Sequence, residues 1–130
     1  MTGGRRTMPF QRHNSNPCCY LVPDCVVRAI CTATGESWHH VYTGLCVQGA
    51  VMCSMPSVNA VWGAYLNERG FPHYNIHDRC TVRQFAREHP RGVYVLGTGN
   101  HAVAVIDGGR YVDTWDSGNE QVLYYFVLEE

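Results

Sequence analysis

Residues His101–Trp115 read HAVAVIDGGRYVDTW. Two strand-like runs, HAVAVID and RYVDTW, flank Asp107-Gly108-Gly109, a strong hairpin turn signal. Folding the chain about Gly108 brings positions 101 and 113 close together at one end of the ribbon. A histidine and a carboxylate therefore meet. A carboxylate in that place fixes the tautomer of the imidazole and stabilises its protonated form. Trp115, two residues on and on the same face, is placed to cover the pair from water, which strengthens it.

Outward from this hairpin the period of the chain changes. GVYVLGT before it and QVLYYFVL after it are also strand-like, rich in Val and Tyr, and bounded by Gly, Asn, Asp and Ser. The first half reads as helices instead. In PDCVVRAICTATG, Pro23–Gly35, Pro23 and Asp24 form a start signal, with Asp24 able to cap free N–H groups. Val26, Ala29, Ile30 and Ala33 recur at helical spacing, and Gly35 is a stop. A second helix is expected after Ser37 through WHHVYTGLCVQG. A third is expected from Ser57 to Gly70, and a short one over VRQFAREH, capped by Thr81 and closed by Pro90. FPHYNIHD between the last two reads as a short extended piece. Helices followed by an antiparallel sheet is an α+β arrangement. No internal repeat or linker divides it, so residues 1–130 are expected to form one domain, with 1–16 as a flexible or loosely docked arm.

Composition narrows the classes. The 130 residues carry a net charge of −1, which does not suggest nucleic acid or an anionic membrane as a partner. No apolar run is long enough for a membrane span, and the arginines near the N-terminus precede no apolar stretch of a secretory signal. Seven cysteines, an odd number at irregular spacings, argue against a disulfide framework and for reduced thiols in a cytoplasm. All ten basic residues are arginine. GC-rich coding bias accounts for that, and so does avoidance of amine-directed modification, including attack by an acyl-enzyme on its own side chains.

One cysteine stands apart by position. Cys25 falls in the first turn of the first expected helix, where the positive end of the helix dipole favours a thiolate; Cys31 lies too far in to share that help. A thiol nucleophile needs a base within hydrogen-bond reach and a third group to orient the base. His101 and Asp113 fill those roles. Asp116 is a competing carboxylate, but it lies in the turn DSGN and reads as a turn former. His73, His77 and Cys80 approach a zinc half-site without an evident fourth ligand, so no metal is expected.

Cysteine on the first turn of a helix, a later His-strand and an Asn or Asp on the next strand resemble the order in papain-like cysteine peptidases. HAVAV…YVDTW is similar to the HAVA…NSW block of that family, with Asp113 in the Asn place and Trp115 in the Trp place. Aspartate is usual there in the related leader peptidases of bacteriocin exporters. The length and the DCVVRA…ATG start resemble small papain-like proteins encoded by bacteriophages and bacteria. The resemblance implies a minimal papain-like fold, with N-terminal helices packed on a C-terminal antiparallel sheet. It further implies a thioester acyl-enzyme, a protein or peptide substrate, and no cofactor. The family's oxyanion glutamine, six residues before the nucleophile, is replaced by Cys19. Asn16, the nearest upstream side-chain amide, is the candidate donor in its stead, ahead of Asn14 and Gln11, aided by the Cys25 N–H.

Two other readings stay open. The Asp24-Cys25 pair also resembles the start of NlpC- or CHAP-type wall amidases, although the NlpC family follows its cysteine with Ser-Gly and this chain has Val26 and Val27. The missing glutamine also suits a non-catalytic protein on the same fold that sequesters a host factor.

Overall fold

The computed structural model describes residues 9–130. The chain is α+β: four helices and a six-stranded mixed sheet among these residues. Strand β1 (Phe10–Arg12) precedes helices α1 (Cys25–Thr34), α2 (Trp38–Met52) and α3 (Asn59–Glu68). Strand β2 (His73–Asn75) and helix α4 (Val82–Glu88) follow. Strands β3 (Val93–Gly97), β4 (Ala102–Ile106), β5 (Arg110–Asp113) and β6 (Tyr124–Glu129) complete the chain. Their order across the sheet is β1-β5-β4-β3-β6-β2.

The helix boundaries follow local chemistry. Gly35 ends α1 at φ 77°, and its N–H closes on the Cys31 carbonyl. The Ser37 hydroxyl accepts the His40 N–H at the start of α2. Thr81 and Gln84 form a reciprocal capping box on α4. Gly49, expected to end α2, does not. The helix continues to Met52, because Gly49 serves close approach: a Cβ there would sit 2.6 Å from the Ser54 carbonyl oxygen.

Both faces of the sheet are covered, so its central strands are apolar on both sides. Along β4, Ala102 and Ala104 face α1, α2 and α3, while Val103 and Val105 face α4. The two alanines are small, which lets α1 lie close over β4. Ile30, Leu45, Trp62 and Phe126 fill the first layer, and Phe85, Leu96, Tyr111 and Val122 the second. No helix among the described residues is long and apolar enough to cross a membrane.

The sheet departs from expectation at both edges. It is mixed and not wholly antiparallel, because β1 pairs in parallel with β5, setting Phe10 opposite Tyr111 and Arg12 opposite Asp113. Of the expected arm, residues 1–8 lie outside the described residues, whereas residues 10–12 are built into the sheet. The Phe10 ring packs 5.5 Å from Tyr111, and the Arg12 guanidinium donates to the Thr114 carbonyl at 2.6 Å. At the other edge β2, from the first half of the chain, pairs antiparallel with β6.

Candidate active site

The hairpin β4–β5 turns through Gly108 and Gly109, both at positive φ (97° and 68°), and pairs Ala104 with Val112 and Ile106 with Arg110. That register leaves His101 one residue before β4 and Asp113 at the end of β5. The turn before His101 is pinned: the Thr98 N–H donates to the His101 carbonyl at 2.9 Å, and the Asn59 amide of α3 donates to the Gly99 carbonyl at 2.8 Å. Helix α1 then lays its first turn, and Cys25, against this end of the sheet.

His101 Nε2 lies 2.6 Å from Asp113 Oδ2. An ionised carboxylate only accepts, so Nε2 carries the proton and Nδ1 is the nitrogen left for the thiol. Asp113 is almost wholly buried and held at every available lone pair. Ser117 Oγ donates to Oδ2 at 2.6 Å, the Thr114 N–H to Oδ1 at 2.8 Å, and Arg28 Nη1 to Oδ1 at 3.1 Å. Burial pushes its carboxyl up, but the His101 and Ser117 hydrogen bonds outweigh that and hold it below the usual value.

The thiol and the imidazole move in opposite directions. Burial pushes Cys25 up. Hydrogen bonding to His101 and to the Ala102 N–H, with the charges of His101 and Arg28, pulls it below its ordinary value. Burial lowers His101, yet the hydrogen bonds and charges of Asp113 and Cys25 raise it to about 9. Both shifts favour a thiolate beside an imidazolium over the neutral pair. Cys31, without such partners, is pushed to about 11 by burial and by the charges of Asp24 and Glu36.

Trp115 sits where expected, its ring 5.1 Å from His101 and partly open to solvent. Cys25, His101 and Trp115 share a cavity of about 330 Å³ with Tyr20, Leu21, Arg28 and Asn100. Asp116 stands apart from His101: it accepts from the Tyr111 hydroxyl, the Gly118 N–H and Arg83. His73 packs against Tyr124 and Phe126, and Cys80 Sγ contacts the Thr81 carbonyl at 3.5 Å. Among the described residues no three His, Cys, Asp or Glu side chains converge as a metal site.

Two assignments change, and two residues are new to the site. Asn16 is not at the cavity wall: its amide donates to Asp24 Oδ2 at 3.2 Å and its carbonyl oxygen accepts the Cys18 N–H, so it braces the loop before α1. Asp24 makes no side-chain cap on α1. Its carboxylate turns instead to Arg28 Nε (2.7 Å) and Trp38 Nε1 (2.9 Å). Arg28, unremarked in the sequence, is the buried link, bridging Asp24 on its own helix to Asp113 across the sheet. An arginine four residues after an aspartate, within a run of buried apolar residues, was the available signal. Asn100 is the asparagine that lines the cavity, and only the adjacent His101 points to it in sequence.

The arrangement sets a thiol whose ionised form is favoured beside a proton donor, at the start of helix α1 on the wall of the cavity. No protein-family model, curated protein or solved structure matches this chain.

Proposed function

We propose that this chain is a minimal papain-like thiol hydrolase acting on an amide or isopeptide bond. The observation that carries the reading is the continuous chain Cys25–His101–Asp113, in which the thiol is lowered while the imidazole is raised to about 9. A buried cysteine with no task in chemistry would be shifted the other way, as Cys31 is.

In this mechanism the Cys25 thiolate adds to the substrate carbonyl, and the oxyanion takes the Cys25 N–H. The Asn100 amide is a second donor at the same wall, in the role first assigned to Asn16. As the tetrahedral adduct collapses, the C–N bond breaks and the His101 imidazolium gives its proton to the departing amine. The neutral imidazole then takes a proton from water, whose hydroxide displaces the thiol from the thioester, and the acid leaves. Asp113 stays ionised throughout and keeps His101 oriented.

The test is the acyl-enzyme itself. With an activated acyl ester, intact-mass analysis should show one acyl group on Cys25, absent in Cys25→Ala. In His101→Ala that group should form slowly and persist. Acylation spread evenly over the cysteines, or none, refutes the hydrolase reading and leaves a binding protein that uses the same groove.

A further inference from the structure

A cavity of about 710 Å³ lies between α4 and the β1–β5 edge. Helix α4 and Tyr111 belong to the layer on the face of the sheet turned away from α1, and this cavity shares no wall residue with the thiol cavity. Pro9, Phe10 and Pro90 make part of its wall apolar.

Two guanidinium groups meet at the same wall. Arg83 and Arg87 stand one turn apart on α4 and so share a face. Arg83 donates to Asn119 at 2.6 Å, but reaches the Tyr111 hydroxyl and Asp116 only at 3.3 Å. Those two contacts are long for charge-assisted hydrogen bonds, so part of its fork can turn to a ligand. Arg87 has no ion-pair or hydrogen-bond partner among the described residues, and residues 1–8 contain no Asp or Glu. Among the described residues Asp116 is the only acid on the wall, and the Tyr111 hydroxyl and Gly118 N–H already donate to it. Tyr111 adds no negative charge, because burial and the Asp116 hydrogen bond push its hydroxyl up to about 12. The wall therefore sets two positive charges against one negative, and an anion is the ligand that balances it.

Spacing and size narrow the anion. A phosphate monoester offers three terminal oxygens, enough for two guanidinium forks, whereas the two oxygens of a carboxylate are filled by one. A bare phosphate leaves most of the cavity empty, and cavities of this size hold organic molecules. We propose that the α4–β1 cavity binds a small organic phosphate, with its phosphoryl group on Arg87 and Arg83 and its apolar body against Pro9, Phe10 and Pro90. This site does not depend on the Cys25 chemistry proposed above.

Titration calorimetry at about pH 7.5, where a phosphate monoester is a dianion, tests it with defined probes. Naphthyl phosphate or adenosine monophosphate should bind saturably, one per chain. Inorganic phosphate, naphthol and naphthoate should each bind at least about tenfold more weakly, since each lacks the phosphoryl group or the body. Arg87→Ala, at an exposed position, should weaken the bound ester roughly tenfold to a hundredfold, the worth of one charge-assisted hydrogen bond. Arg79→Ala makes the same change of charge just before α4, off the cavity wall, and should leave that affinity as it is. No saturable binding of either ester overturns the site. So does any of the three lesser probes bound as tightly, or an equal effect of Arg87→Ala and Arg79→Ala.

Discussion

Replacing Arg28 by methionine is the perturbation whose outcome the structure defines best. The side chain is about nine-tenths buried and bonds two carboxylates, Asp24 at 2.7 Å and Asp113 at 3.1 Å. Removing one partner of a buried ionic group costs roughly 3–5 kcal/mol, because the remaining charge is left without compensation. Each carboxylate here keeps other donors: Trp38 and Asn16 on Asp24; His101, Ser117 and Thr114 on Asp113. The loss should therefore fall at the low end, about 3 kcal/mol, or about 10 °C in Tm for a domain of this size. Arg28→Lys keeps the charge but cannot fork to two carboxylates, and should recover only part of it. The decisive variant is the double one. Asp24→Asn alone should destabilise, since Arg28 loses a partner. In the Arg28→Met background it should instead restore about 1 kcal/mol by removing an uncompensated charge. Urea unfolding at pH 7, followed by tryptophan fluorescence, measures all four proteins. An Arg28→Met cost below about 0.5 kcal/mol, or Asp24→Asn adding to the damage, would refute the bridging role.

Other outcomes follow from the same geometry. Asp113→Ala should lower turnover by roughly a hundredfold or more while Asp113→Asn is milder, because the amide oxygen still accepts from His101; Asp116→Ala should leave turnover near wild type, read as kcat/KM. Iodoacetamide at pH 6, with peptide mapping, should label Cys25 ahead of Cys31 and Cys80, whose thiols burial raises. His101 is raised on folding, so its stabilisation is complete below about pH 6.5 and is lost as pH climbs through about 9; that of Asp113, lowered on folding, is present above about pH 4 and lost on acidification below it. Cys25, lowered on folding, contributes in the opposite sense over the alkaline range. That limb is therefore read in Cys25→Ala, where a denaturant midpoint that rises between about pH 7 and 9 contradicts the His101 assignment. The acid limb is read in the wild type, where a midpoint that rises on acidification below about pH 4 contradicts that of Asp113. Ser117→Ala removes a buried donor from Asp113 and should cost about 1–2 kcal/mol, with unchanged unfolding midpoints as the contrary result.

Local signals in the sequence were legible where the structure is made locally. Gly35, Ser37 and Thr81 act on bonds within a few residues, and the Asp107–Gly109 turn alone set the register that brings His101 to Asp113. What escaped depends on partners far along the chain. Three residues of β1 carry no usable period, and their strand exists only because β5 offers an edge. Asp24 looked like a helix cap because that is the commonest use of aspartate before a helix. The competing partner, Arg28, is chosen only once Asp113 arrives from 85 positions away. Asn16 was placed by nearness in sequence, whereas the buried Asp24 carboxylate decides where its amide points. Ser117 was hidden in a run that reads as an ordinary turn.

The β1–β5 pairing also bears on how the molecule reaches this state. Bonds between these segments join residues as much as 102 positions apart, and the opposite edge waits for β6, the sixth of the described strands. A topology so dependent on distant pairings folds slowly, since loop closure precedes any reward from contacts. During synthesis Cys25 emerges long before His101 and Asp113, so the nascent chain carries a thiol of ordinary reactivity. The partners that lower the Cys25 thiol reach it only once the chain has been made as far as Asp113, so the shift of that thiol is a property of the folded domain and not of its local sequence.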